Sequence, residues 1–217
     1  MYTTIFFDLD DTIWDTMGNA KVCLNELFED YDIDRYYDSF ESFYEVYFNN
    51  TVLLWERYSH GLIDKQTIIS ERFSYPFRQF RGVAADMPAA MNDDFFRRIV
   101  TKTNLIDGAI EILDYLKGRY KMHIISNGFT ELQSSKINGS GLGGYFEHIV
   151  LSDAVGFNKP DRRIFDYLLN TASVNSDEVI MIGDNINADI AGAKNVSIRY
   201  GSILIGPRFP IVLILHM

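Results

Sequence analysis

The sequence predicts an α/β fold, a parallel sheet core interrupted by an inserted helical domain. Two patterns carry that prediction. Short apolar runs stop abruptly at small or acidic residues: Thr3 to Phe7 before Asp8, Met122 to Ile125 before Ser126, and Val179 to Ile182 before Gly183-Asp184. Runs of this length bounded by such residues read as buried strands. Amphipathic stretches lie between them, and strands that alternate with helices build a parallel sheet. Residues 15–100 break the alternation, because they hold helical patterns and many aromatics but no buried strand. The expected organisation is therefore an α/β core from residues 1–14 and 101–217, with a helical domain from 15–100 inserted in it.

The elements follow in order. Asp38 and Glu41 have the spacing of a capping box, and Phe40, Phe43, Tyr44 and Tyr47 follow at i, i+3, i+4 and i+7, the apolar face of one helix. A second helix is expected from about Val52 through Trp55 and Tyr58 to Gly61 as a C-cap, and Asp64 is placed to cap a third. In the core, Ala109, Ile112, Leu113 and Leu116 line one helix face, and Ile164, Phe165, Leu168 and Leu169 line another. His148 to Leu151 reads as a further strand.

Composition narrows the class. The 217 residues are 47% hydrophobic and 23% charged, the balance of a folded soluble protein. A formal charge of −10 with no basic stripe argues against polymeric nucleic acid as a partner. Cys23 is the only cysteine, which excludes an intrachain disulfide and fits a reducing cytoplasm. Ile5-Phe6-Phe7 is far too short for a signal or a membrane span, so a cytoplasmic location without membrane attachment is expected. His60, His123, His148 and His216 lack metal-ligand spacing, and none is assigned a role.

Four polar clusters sit where chemistry is expected. The first strand delivers Asp8-Leu9-Asp10-Asp11-Thr12 to the sheet edge where open parallel sheets bind ligands. Adjacent carboxylates repel unless a cation, a proton or strong donors stabilise them, so a divalent metal is a natural occupant; a capped acidic turn is the alternative. Ser126-Asn127-Gly128 follows another strand, and Thr130 with Gln133 has capping-box spacing. That cluster suits a phosphate at a helix N-terminus, although it also reads as an ordinary turn. Lys159-Pro160 offers a compact positive charge on a stiff loop, or a solvated lysine. Gly183-Asp184-Asn185 with Asp189 is a second carboxylate pair, suited to magnesium or to a plain acidic loop. Each cluster has an innocent reading alone; all four in this order, three of them at strand ends, point to phosphoryl chemistry.

The order Asp-x-Asp-x-Thr, Ser-Asn-Gly, Lys-Pro and Gly-Asp-x-x-x-x-Asp resembles the haloacid dehalogenase-like (HAD) hydrolase superfamily over about residues 1–195. Ser126 through Thr130, Gly141-Leu142 to Tyr145-Phe146, Lys159 through Tyr167, and Leu54-Trp55 with Tyr58, Gly61 and Ile63 resemble the YjjG-type pyrimidine 5′-nucleotidases. The resemblance implies a Rossmann-like core with a C1-type helical cap, and a magnesium-dependent phosphatase forming an aspartyl-phosphate. By that likeness Asp8 is the nucleophile and Asp10 the acid–base partner. Mg2+ would be held by Asp8, the Asp10 carbonyl, Asp184 and Asp189. Ser126, the amides of Asn127 and Gly128, and Lys159 would hold the phosphate.

The implied partner is a small phosphomonoester, a nucleoside 5′-monophosphate, with the protein a monomer or homodimer. Phosphoglycolate, a sugar phosphate or a phosphosugar mutase reaction remain alternatives, as does a non-catalytic binding protein. Asp10 argues against dehalogenation, because halide leaves without needing a proton. The aromatics of the helical domain have the spacing of a bundle core, so base stacking rests on the resemblance alone. The chain departs from the family pattern after Asn195. Ile211 to Leu215 is too short to span a membrane and is expected to be an edge strand, a dimer contact or a divergent end.

Overall fold

The computed structural model describes residues 1–206 and 209–216. The chain forms two compact units, residues 1–16 with 103–217 and residues 17–102. The first unit is built on a sheet of β1 (Thr4–Phe7), β2 (Lys121–Ser126), β3 (His148–Leu151), β4 (Val179–Gly183), β5 (Arg199–Gly206) and β6 (Phe209–His216). Its order is β3-β2-β1-β4-β5-β6. β1 is central and pairs in parallel with both β2 and β4, Phe7 lying opposite Ile124 and Ile182. Its four residues are all buried, which is why the strand is a continuous apolar run. This register brings the ends of β1, β2 and β4, hence Asp8, Ser126 and Gly183, to one edge of the sheet. β6 pairs antiparallel with β5, so the backbone of the apolar tail is an edge strand; its side chains lie outside the described residues.

The second unit is helical: α1 (Thr16–Asp30), α2 (Phe40–Ser59), α3 (Lys65–Phe77) and α4 (Met87–Ile99). Two expectations change. The sequence suggests separate helices around Tyr47 and Val52, whereas α2 runs unbroken for 20 residues; Asn49-Asn50-Thr51 contains no glycine or proline to stop it. Its cap is Ser39, whose side chain accepts from Ser42 N while the Ser42 hydroxyl reaches back to Ser39 N, one residue later than the Asp38 and Glu41 pair. Asp64 does cap α3, accepting from Thr67 N at 2.8 Å. Phe43 and Tyr47 are buried among Tyr37, Phe73 and Phe77, while Phe40 and Tyr44 are only half-buried beside Lys21. The guanidinium of buried Arg72 lies over Phe95 and Phe96 at 4.6 and 4.3 Å and donates to Asn92 Oδ1.

The sheet unit adds α5 (Ala109–Leu116), α6 (Thr130–Gly139), α7 (Ser152–Val155), α8 (Arg162–Ala172) and α9 (Ala191–Asn195). In α8, Ile164, Phe165 and Leu168 form the buried stripe, packed with Phe6, Ile125, Val179 and Met181 of the sheet. Full burial of each such side chain stabilises by roughly 1.5–3 kcal/mol, so this packing fixes the strands whose ends carry the polar clusters. α6 differs from its expected start: Phe129 is its N-cap with no side-chain capping bond, and Thr130 lies inside the helix. Gln133 is thereby free for other partners.

Candidate active site

Asp8 continues β1, its N–H donating to Ile182 O at 2.9 Å, and is 6% exposed. Lys159, 2% exposed, places Nζ 2.5 Å from Asp8 Oδ1, 2.7 Å from Asp189 Oδ1 and 2.7 Å from Ile125 O. One buried cation therefore ties β1, β2 and the segment after β4. That segment is a π-turn, Ile186–Ile190, capped by Asn185 Oδ1, which accepts from Asn187 N and Ala188 N. The turn aims the fully buried Asp189 back at the strand end. Gly183 is required there, because a Cβ would overlap the Asp189 carboxylate. Asp184, half-buried, accepts from the buried Thr12 hydroxyl at 3.4 Å.

The Asp8, Asp184 and Asp189 carboxylates bring oxygens within 4.8 Å of one another. Burial raises the Asp8 carboxyl well above the ordinary range; Lys159 opposes this, while Asp189, Asp184 and Asp10 add to it. Asp184 is pushed up to about 6 by burial and then by Asp189. Burial alone would depress Lys159, but Asp189 and Asp8 hold its proton affinity above the usual lysine value. Three carboxylates thus share one lysine, leaving surplus negative charge in a cluster of hard oxygen donors. That donor set fits a divalent cation such as magnesium.

Asp10 occupies a different environment. Its Oδ1 accepts from Thr16 Oγ1 at 2.6 Å and from Lys136 Nζ at 2.5 Å, and its Oδ2 from Gln133 Nε2 at 2.5 Å. Burial would raise its proton affinity, but the Lys136 charge and hydrogen bonds from Lys136, Thr16 and Gln133 outweigh burial and hold the carboxyl below its ordinary value. Lys136 also sits 4.4 Å from the ring centre of fully buried Trp14. Gln133 and Lys136, one helical turn apart on the buried face of α6, were missed in the sequence, where Gln133 read as half of a capping box. Three polar residues on one face, Gln133, Lys136 and Ser140, were the available signal.

Ser126 is 1% exposed, and its Oγ accepts from Gln133 Nε2 at 2.7 Å and from Gly128 N at 3.1 Å. With both acceptor positions filled, the hydroxyl proton is left to donate outward. Gly128 lies so close to Gln133 that a Cβ would overlap the amide. The Asn127 side chain is committed elsewhere: its Nδ2 donates to Lys159 O at 2.9 Å and its Oδ1 accepts from Lys159 N at 2.7 Å. It clamps the lysine loop through that pair of bonds. The structure accordingly brings Asp8, Asp10, Ser126, Gly128, Lys159, Asp184 and Asp189 to one sheet edge, with Asn127 behind the lysine.

The family model described as haloacid dehalogenase-like hydrolase matches residues 2–197, and the chain belongs to that family. It is a phosphomonoester hydrolase, as its named relatives indicate. Pyrimidine 5′-nucleotidase YjjG of Escherichia coli is 30% identical over 89% of this chain and 82% of its own length. A glyceraldehyde 3-phosphate phosphatase of Pyrococcus abyssi is also 30% identical, over 92% and 80%. The putative HAD-hydrolase YfnB of Bacillus subtilis is 29% identical over 89% and 80%. Its crystal structure, bound to magnesium, superposes with a TM-score of 0.83 over 92% of this chain and 87% of that one.

Among the described residues, no helix is long and apolar enough to cross a membrane.

Proposed function

We propose that this protein is a magnesium-dependent nucleoside 5′-monophosphatase with a preference for pyrimidine nucleotides, acting through an aspartyl-phosphate on Asp8. The observation that carries the reading is the pairing of Asp8 with Lys159 at 2.5 Å, beside a serine whose oxygen accepts two hydrogen bonds and a second aspartate two residues on. Asp8 Oδ attacks phosphorus, the bond to the leaving oxygen breaks, and Asp10 gives that oxygen a proton; Asp10 then takes a proton from the water that releases phosphate. Lys159, Ser126 Oγ and the amides of Asn127 and Gly128 hold the phosphoryl oxygens, the Gly128 amide exchanging its bond to Ser126 Oγ for one to phosphate. Asp8, the Asp10 carbonyl, Asp184 and Asp189 would hold Mg2+, which when bound neutralises charge on the transferring group and favours ionised Asp8. Residues 17–102 serve as the cap that selects the leaving group, and the nucleotide preference follows the likeness to YjjG.

The resting arrangement adds a condition. Asp10 is the more strongly ionised of the two aspartates, so it must leave Lys136, Gln133 and Thr16 before it can act as an acid. Phosphate release from UMP, dTMP, AMP, glyceraldehyde 3-phosphate and phosphoglycolate, with magnesium and with chelator, tests the reading. Magnesium-dependent turnover greatest on pyrimidine nucleotides and abolished in Asp8→Asn is expected. Near-normal turnover by Asp8→Asn would sink the mechanism, and a sugar or triose phosphate as best substrate would sink the nucleotide assignment.

A further inference from the structure

Two histidines that lie 25 residues apart in the chain become neighbours in the sheet. His123 of β2 pairs with His148 at the start of β3, and their rings stack with centroids 5.1 Å apart and planes 10° from parallel. Glu147 immediately precedes His148, and ligand atoms of all three residues lie within 4.8 Å of one another. His123 is 0% exposed, yet among the described residues neither of its ring nitrogens has a hydrogen-bond partner. A buried polar group left unmatched costs stability, and native interiors rarely tolerate one. The Phe6 ring, T-shaped to that of His123 with ring centres 5.8 Å apart, offers no partner to nitrogen. Burial, reinforced by His148, pushes His123 down to about 4, so its imidazole is neutral and keeps a lone pair for a metal.

We propose that His123, His148 and Glu147 form a second metal site, one that takes a zinc-type divalent ion and ties the edge strand β3 to β2. The donor set decides the class of ion. Two imidazole nitrogens and one carboxylate suit zinc and its late-transition neighbours, whereas the oxygen-only Asp8, Asp184 and Asp189 cluster suits magnesium. The two sites are separate, because His123 precedes Ser126 by three residues, a strand rise of about 10 Å. Capture needs one adjustment. Nitrogens on a tetrahedral ion with bonds near 2.0–2.1 Å lie roughly 3.3 Å apart, and lone pairs of stacked rings run parallel. One ring must therefore turn, and His148, half-buried at the mouth of an edge strand, is the one with room. Glu147 is exposed, and its carboxylate pairs with Lys121 at 3.8 Å with both side chains more than half exposed, an ion pair weak enough to yield to a metal.

The test is calorimetric titration of Zn2+ into the full chain in excess Mg2+, with melting curves and phosphate release followed in parallel. One Zn2+ per chain and a rise in Tm of a few degrees are expected. Affinity should fall at least about tenfold in His148→Gln and by less in Glu147→Gln, with magnesium-dependent turnover unchanged in both. Co2+ in place of Zn2+ should give the intense visible absorption of a four-coordinate nitrogen-containing site. Absence of Zn2+ binding overturns the proposal. So does binding that survives both variants, or binding that is lost in Asp184→Asn instead, which would assign the ion to the aspartate cluster.

Discussion

Lys159→Met removes the one cation that Asp8 and Asp189 share while keeping the length of the side chain. Because Lys159 is 2% exposed, solvent cannot replace it, and breaking one side of a buried pair costs about 3–5 kcal/mol. For a chain of this size that corresponds to a fall in Tm of roughly 10 °C in metal-free buffer. The loss depends on pH with a definite sign. Asp8 and Asp184 already have folded-state proton affinities above their unfolded values, Asp184 at about 6, and removing Lys159 raises them further. Acids of that kind favour the folded state when protonated, so their cost is greatest above the folded pKa and disappears as pH falls below the unfolded one. The variant should therefore lie furthest below the wild type at pH 8 and approach it at pH 5. Magnesium should raise its Tm more than that of the wild type, since the ion restores part of the missing charge. Turnover should fall by about 100- to 1000-fold, the usual effect of losing one donor to a transferring group. Melting curves at the two pH values, in chelator and in magnesium, decide the matter. A variant that melts within about 1 °C of the wild type at pH 8 in chelator would refute the reasoning.

Two further outcomes follow from the same electrostatics and from burial. Lys136→Met takes away the charge that holds Asp10 ionised, so the proton affinity of Asp10 should rise and the alkaline limb of the kcat/KM profile should move to higher pH; a profile superimposable on the wild type would exclude Lys136 from control of Asp10. Cys23 is fully buried, and burial lifts its thiol to about 11, so it should react with a disulfide reagent only when residues 17–102 open, at a rate that rises with denaturant; prompt labelling of the native protein would contradict this.

β1 and β4 were legible because they lie in the parallel part of the sheet and are buried almost throughout, which makes each an uninterrupted apolar run with a sharp polar end. Positions at those ends were legible for the same reason: Asp8, Ser126 and Gly183-Asp184 each follow directly on such a run. Side chains that support them were not. Gln133 and Lys136 lie on a helix whose buried face is mostly polar, and Asn127 serves the lysine loop through bonds that no spacing rule encodes. The approach of His123 to His148 needs the strand order β3-β2-β1, since nothing in the chain between them says that their strands are neighbours. The continuity of α2 was hidden by a polar stretch that resembles a break but carries no residue able to make one.

Each aspartate of the Asp8 and Asp10 pair bonds a buried lysine, and yet their proton affinities move in opposite directions. Lys159 is divided between Asp8 and Asp189 with Asp184 close by, whereas Lys136 serves Asp10 together with hydroxyl and amide donors. The positive charge available per carboxylate, together with the donors that Asp10 alone receives, sets the order. Phosphomonoester hydrolysis by the proposed route needs that order reversed, with Asp8 ionised and Asp10 carrying a proton. Positive charge at the three-carboxylate cluster favours the first change, and withdrawal of Asp10 from Lys136 favours the second. Gln133 connects the two ends of the problem, since its single amide nitrogen holds both Asp10 and Ser126. A phosphate that draws the Ser126 proton outward leaves Gln133 bonded to both, so the release of Asp10 falls to competition for its carboxylate. The leaving oxygen of the substrate, the group Asp10 must reach, is the natural competitor, and this ties proton delivery to the presence of a substrate of the right length.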